Sequence, residues 1–80
     1  MSINDFCEII AKESLDKPLL NEVPNDRILT YGYYRERNNF VAYRTNERAG
    51  IFLKKNCSSE DEVLEVLLKW LRNKKIMEED

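Results

Sequence analysis

Apolar side chains recur at steps of three and four at both ends of this chain, and at steps of two in its middle. Ile3, Phe6, Ile9 and Ile10 would share one face of a helix, in which 3.6 residues make a turn. Ser2 and Asp5 stand in front of that stripe at capping-box spacing, so the pattern predicts about three turns ending near Leu15. Lys17 and Pro18 close the helix, because proline disfavours helical geometry in the residue before it. Leu19, Leu20 and Val23 then predict a connection tucked under the core, with a turn at Pro24, Asn25 and Asp26.

From residue 27 to residue 55 the period falls to two. Leu29, Tyr31 and Tyr33 alternate with Ile28, Thr30, Gly32 and Tyr34; Phe40, Ala42 and Arg44 alternate with Val41 and Tyr43; Ile51 and Leu53 flank Phe52. The runs ERNN and NERAG between them have the composition of hairpin loops, so three antiparallel strands in a meander are expected. The helical period returns with Val63, Leu64, Leu67, Leu68 and Leu71, widened by Val66 and Trp70. Ser59 and Glu62 have capping-box spacing, and Glu60, Asp61 and Glu62 suit the positive end of the helix dipole. Lys69, Arg72, Lys74 and Lys75 suit its negative end, with residues 75–80 expected as a frayed tail.

The expected fold class is therefore α+β in the order α-β-β-β-α: a three-stranded antiparallel meander with two helices packed on one face. No further element is predicted for the opposite face, which reads as an open platform, and exposed patches of that size mark contact sites. Strands one and three would present free edges, compatible with a monomer or a weak homodimer.

At 80 residues the chain is one domain, 1–80, with 42% hydrophobic and 35% charged residues, the balance of a soluble globular chain. The net charge of -2 conceals a pattern: acids outnumber bases before residue 27 and after residue 55, and bases outnumber acids between. The simplest expectation is mutual neutralisation across the folded surface. Cys7 and Cys57 are fifty positions apart in a chain without histidine, so neither a zinc site nor a Cys-His nucleophile is expected, and two free thiols are. The opening MSINDFCEII has neither a cationic leader nor a long apolar run, which predicts a cytoplasmic chain that does not enter the membrane.

Enzyme chemistry is disfavoured. Histidine, the commonest acid-base group near neutral pH, is missing, and Gly32 and Gly50 are the only glycines, too few for a phosphate-cradling loop. No cofactor and no metal are expected; the carboxylates at 60–62 are explained by the helix start. Nucleic-acid binding is weighed on the order α-β-β-β-α, which double-stranded RNA-binding domains share, and on FVAY, which echoes an RNA-recognition sheet motif. Against it, ERNN before Phe40 does not supply that motif's basic, glycine and aromatic positions. Glu60, Asp61 and Glu62 would also repel phosphate where such a domain needs lysine.

What remains is a protein-binding module. The run FVAYRTNERAGIFLKKNCSSEDEVLEVLLKWL, residues 40–71, resembles the C-terminal half of small immunity proteins from bacterial polymorphic toxin and contact-dependent inhibition systems. Glu47, Arg48, Ala49 and Gly50 resemble their Glu-Arg-Gly-like turn with one residue inserted, and Ser59 to Val63 resemble their helix start. The resemblance implies an inhibitor that binds a cognate toxin, a nuclease among the options, and occludes its active site or substrate groove. The alternative is a nucleic-acid-associated accessory or regulatory protein that uses the basic sheet. Candidate contact residues are Tyr33, Tyr34, Arg35, Arg37, Tyr43, Arg44 and Arg48 of the sheet, of types enriched at interface hot spots, and Glu60, Asp61 and Glu62, which could meet a basic groove.

Overall fold

A computed structural model of the chain describes residues 1–79, with the side chains of Phe52, Glu78 and Glu79 left aside. The elements follow as α1 (Ile3–Lys12), β1 (Tyr31–Glu36), β2 (Asn39–Thr45), β3 (Ile51–Cys57) and α2 (Glu60–Glu79). The strands form one antiparallel sheet in the order β1-β2-β3. Register pairs Tyr31 with Arg44 and Tyr33 with Ala42 across β1 and β2, then Phe40 with Cys57 and Arg44 with Leu53 across β2 and β3. A bulge between Arg44 and Thr45 bends the far end of the second ladder.

Alternation decides which face each residue takes. Tyr31, Tyr33, Ala42 and Cys57 share one buried cluster with Phe6 and Ile10 of α1 and with Val63, Leu64, Leu67, Leu68 and Leu71 of α2. Both helices therefore sit on the same side of the meander. Each fully buried leucine there contributes about 1.5–3 kcal/mol relative to exposure. Both helix starts are capped: Ser2 Oγ accepts from the Asp5 N–H at 3.2 Å, and Ser59 Oγ accepts from the Glu62 N–H at 3.2 Å. Glu62 closes its box one residue early, accepting from the Ser58 N–H and hydroxyl at 3.1 and 2.9 Å, which holds its carboxyl below the usual range.

Three expectations need correction. Of residues 75–80, expected as a frayed tail, 75–79 are helical, and Asp80 lies outside the described residues. Lys74 and Lys75 anchor this last part by bonding Asp16 and the Glu13 carbonyl, and Arg72 Nε reaches Glu13 Oε1 at 2.9 Å. Val23, expected under the core, is exposed, and Pro24 is buried in its place.

The third correction is the largest, for the face away from the helices is covered over β1 and β2. Val41, Tyr43 and Thr45 point there and are at most 1% exposed. The cover is the connection between α1 and β1. Its first part runs along the outer edge of β1: the Leu19 N–H donates to Tyr31 O, the Tyr33 N–H to Leu19 O, and the Glu22 N–H to Tyr33 O, all at 2.9–3.0 Å. The Arg35 N–H donates to Asn21 Oδ1 at 3.2 Å, so this edge is closed from Tyr31 to Arg35. Beyond it the Tyr43 hydroxyl donates to Glu22 O at 2.7 Å, and Thr30 and Thr45 exchange bonds that return the chain to the sheet. Gly32 makes the crossing possible, since a Cβ there would lie 2.5 Å from Tyr43 Oη and 2.8 Å from Leu19 O.

A candidate protein-binding groove

Tyr33 and Tyr43, both expected at a contact surface, are fully buried on opposite faces of the sheet. Tyr33 donates to Glu60 Oε2 at 3.1 Å; burial, and then the Glu60 charge, push its hydroxyl up to about 12. Burial pushes Tyr43 up to about 12 as well, with Glu22 the next cause. Neither ring can meet a partner, because each is closed in by its own chain. Tyr34 is half-buried against Tyr43, ring centroids 5.9 Å apart. Any protein-binding role therefore falls to a surface other than the expected platform.

The remaining candidates divide between the two ends of the sheet. At the β1-β2 hairpin, Arg35 lies 5.8 Å over the Phe40 ring and its Nε donates to Arg37 O at 3.3 Å. The start of α2 lies at this same end, because Phe40 pairs with Cys57 just before the helix and Tyr33 reaches Glu60. All three carboxylates of that start have internal partners: Glu60 takes Tyr33, Asp61 takes the Met1 ammonium, and Glu62 takes Ser58. Ion pairs also join Glu13 to Arg72 and Asp16 to Lys74, so the first segment and α2 neutralise each other.

At the opposite end lie Arg44 and Arg48. Arg44 is half-buried with its guanidinium 5.1 Å over the Tyr31 ring, and Lys74 approaches that ring at 5.7 Å. Trp70 packs at 6.4 Å from Tyr31. These four line a cavity of about 460 Å³ between α2 and the sheet, completed by Leu53, Asn73 and Met77. A second hollow of about 350 Å³, formed by Leu29, Asn46, Glu47 and Arg48, joins it through Arg44. Asn46 shapes this rim: its Oδ1 accepts from the N–H groups of Arg48 and Gly50 at 2.8 and 3.0 Å. The two hollows, sharing Arg44, form the candidate groove: the first is floored by the Tyr31 and Trp70 rings, and cations edge both.

Its apolar residues are unusually open. Leu29 is 53% exposed, Leu53 40% and Met77 76%. Leu29 is also held at φ 48°, a left-handed backbone that a bulky side chain occupies only under strain. Trp70 and Met77, read from sequence as core and tail, join Asn73 and Lys74 at helical spacing to form a second stripe on α2 beside the buried one. Among the described residues no three cysteine or acidic side chains gather as a metal site, and no helix is long and apolar enough to cross a membrane.

Comparison with protein-family models, with curated proteins and with solved structures finds no match to this chain.

Proposed function

We propose that this chain is an immunity protein that neutralises a cognate bacterial toxin by stoichiometric occlusion, holding it in the groove between α2 and the β2-β3 end of the sheet. One observation carries the reading: Tyr31, Trp70, Arg44 and Met77 line a partly open, ring-floored hollow, and Arg48 lines the adjoining hollow that shares Arg44 with it. Aromatics, arginine and methionine are the types enriched where protein interfaces concentrate their energy. The strain at Leu29 supports it, because a bulky residue held in a costly backbone with its side chain half in water gains little for the fold itself. Arg44 and Arg48 favour a target segment bearing carboxylates, and occlusion needs no catalytic group.

The test is genetic, then biophysical. The product of the gene next to the one for this chain should poison a host when expressed alone and be tolerated with this chain. Arg48→Glu and Met77→Asp lie at exposed positions and should leave the fold intact. Each should weaken the complex about tenfold or more, the loss of a moderate hot-spot contact, and together they should abolish rescue. Arg35→Ala with Arg37→Ala, at the far end, should rescue normally. Rescue lost in the hairpin variant and kept in the groove variants would overturn the assignment. Tight, salt-sensitive binding of mixed RNA or DNA would favour the nucleic-acid alternative.

A further inference from the structure

The two edges of the sheet are finished differently. The outer edge of β1 is sealed by Leu19, Asn21 and Glu22. No described segment pairs with the outer edge of β3. At Cys57 the strand packs under α2, but along its middle the cover ends: Leu53 and Lys55 on the helix side and Lys54 and Asn56 on the other are all exposed. A seven-residue strand with a free edge and a middle open on both faces is a template for another strand.

We infer that β3 accepts an acidic strand from another protein chain, adding a fourth antiparallel strand to the sheet. The lysines decide the partner. A second copy is disfavoured, because antiparallel self-pairing centred on this strand sets Lys54 opposite Lys54 or opposite Lys55, and like charges directly opposite destabilise. A strand with carboxylates at two successive positions, one facing Lys55 and the next facing Lys54, turns the same geometry into two favourable pairs, one on each face. Its following residue, opposite Leu53, would be apolar. Antiparallel addition continues the existing ladder, the slightly more stable pairing per residue. This edge borders the groove at Leu53 but uses the main chain and the lysines of β3, none of which line the groove, so the inference does not depend on what the groove binds.

The experiment uses the full chain, isotopically labelled for amide spectra and hydrogen exchange. Its probes are the capped peptide Thr-Glu-Glu-Val-Thr-Ile, the same peptide with both glutamates replaced by lysine, and the acidic peptide N-methylated at the amides that would face β3. The acidic peptide should slow exchange of the β3 amides that point away from β2. The N-methylated peptide should not, which separates strand addition from simple adhesion of charges. The lysine peptide should bind about three- to thirtyfold more weakly, the range of two cross-strand charge pairs. Lys54→Glu with Lys55→Glu should reverse that preference, and either single change should carry part of the reversal if the double variant does not fold. Equal binding of acidic and basic peptides, binding undiminished by N-methylation, protection away from β3, or a concentration-dependent dimer protecting β3 would each overturn the inference. Stronger protection of the same amides by a mixed single-stranded RNA would reassign the lysines to phosphate.

Discussion

Replacing Gly32 by alanine gives opposite results for a covered and an open sheet face. Gly32 has no left-handed backbone, so alanine meets no torsional obstacle there. On an open face the change would be neutral or stabilising by about 0.4–1 kcal/mol, because alanine loses less chain entropy on folding. In this structure the new Cβ would stand 2.5 Å from Tyr43 Oη, 2.7 Å from Tyr43 Cζ and 2.8 Å from Leu19 O. All three are far inside van der Waals contact, and the last belongs to main chain that is itself bonded to Tyr31 and Tyr33. Relief requires moving a fully buried ring together with the segment that seals β1. Overpacking of this kind costs about 1–3 kcal/mol, which exceeds the entropic gain. The net loss of about 1–2 kcal/mol should lower Tm by about 5–15 °C in a domain of this size, read by circular dichroism. Tyr43→Phe in the same chain removes the nearest clash and should recover part of the loss. A Tm unchanged or raised in Gly32→Ala would show that the connection does not lie across this face.

Three further outcomes follow from buried or strained groups. Tyr33 and Tyr43 hold their protons up to about 12, against about 10 in an unfolded chain, so both states are neutral below pH 10 and stability should fall between pH 10 and 12 by a few kcal/mol in all. Circular dichroism against pH should show that fall, and Tyr33→Phe or Tyr43→Phe should flatten it. Cys7 is exposed, whereas Cys57 is buried and its thiol is pushed up by burial, so a thiol reagent should label Cys7 at once and Cys57 only on unfolding. Rapid labelling of both in the native protein would contradict the packing of β3 under α2. Leu29→Gly should raise Tm by several degrees, because glycine accepts φ 48° without strain, while weakening binding of the proposed partner at the groove.

The parts of the fold legible in the sequence are those where one period runs through one element. Phe6 and Ile10, the pair Tyr31 and Tyr33, and the stripe from Val63 to Leu71 each carry their burial in their spacing, and the structure buries them together. The crossing connection has no such period. Leu19 and Glu22 act through main-chain groups, which any residue supplies, and Pro24 is the buried member of a stretch whose valine faces water. Its one legible sign is Gly32, since a lone glycine inside a strand marks close approach by another part of the chain. The groove was half legible for a similar reason. Arg44 and Arg48 stand out by type, but the stripe from Trp70 to Met77 depends on the helix continuing past Lys75, and the charges at its end pointed to a stop. Lys74 and Lys75 instead reach back to Asp16 and the Glu13 carbonyl, contacts between positions far apart in the chain.

The same connection that hides the expected platform also determines where a partner can dock. By sealing the edge of β1 and one face of β1 and β2, it leaves β3 and the neighbouring groove in reach of another protein. These two surfaces meet at Leu53, which lies in β3 and lines the cavity. Arg44 is its direct partner on β2, Lys55 and Lys54 follow along the strand, and Arg48 stands at the turn. Four cations of the middle segment, Arg44, Arg48, Lys54 and Lys55, are thus gathered on and beside β3, while Arg35 and Arg37 stand at the far hairpin and acids of the first segment are engaged by α2. An acidic partner approaching that side would be steered by several charges acting together over about 8–10 Å at physiological salt. Its association rate should therefore fall steeply between 0.05 and about 0.5 M salt while its dissociation rate changes little, and Arg48→Glu should flatten the dependence. An association rate indifferent to salt would leave the basic side without a role in capture, and the partner's chemistry would have to be sought in the apolar floor of the groove alone.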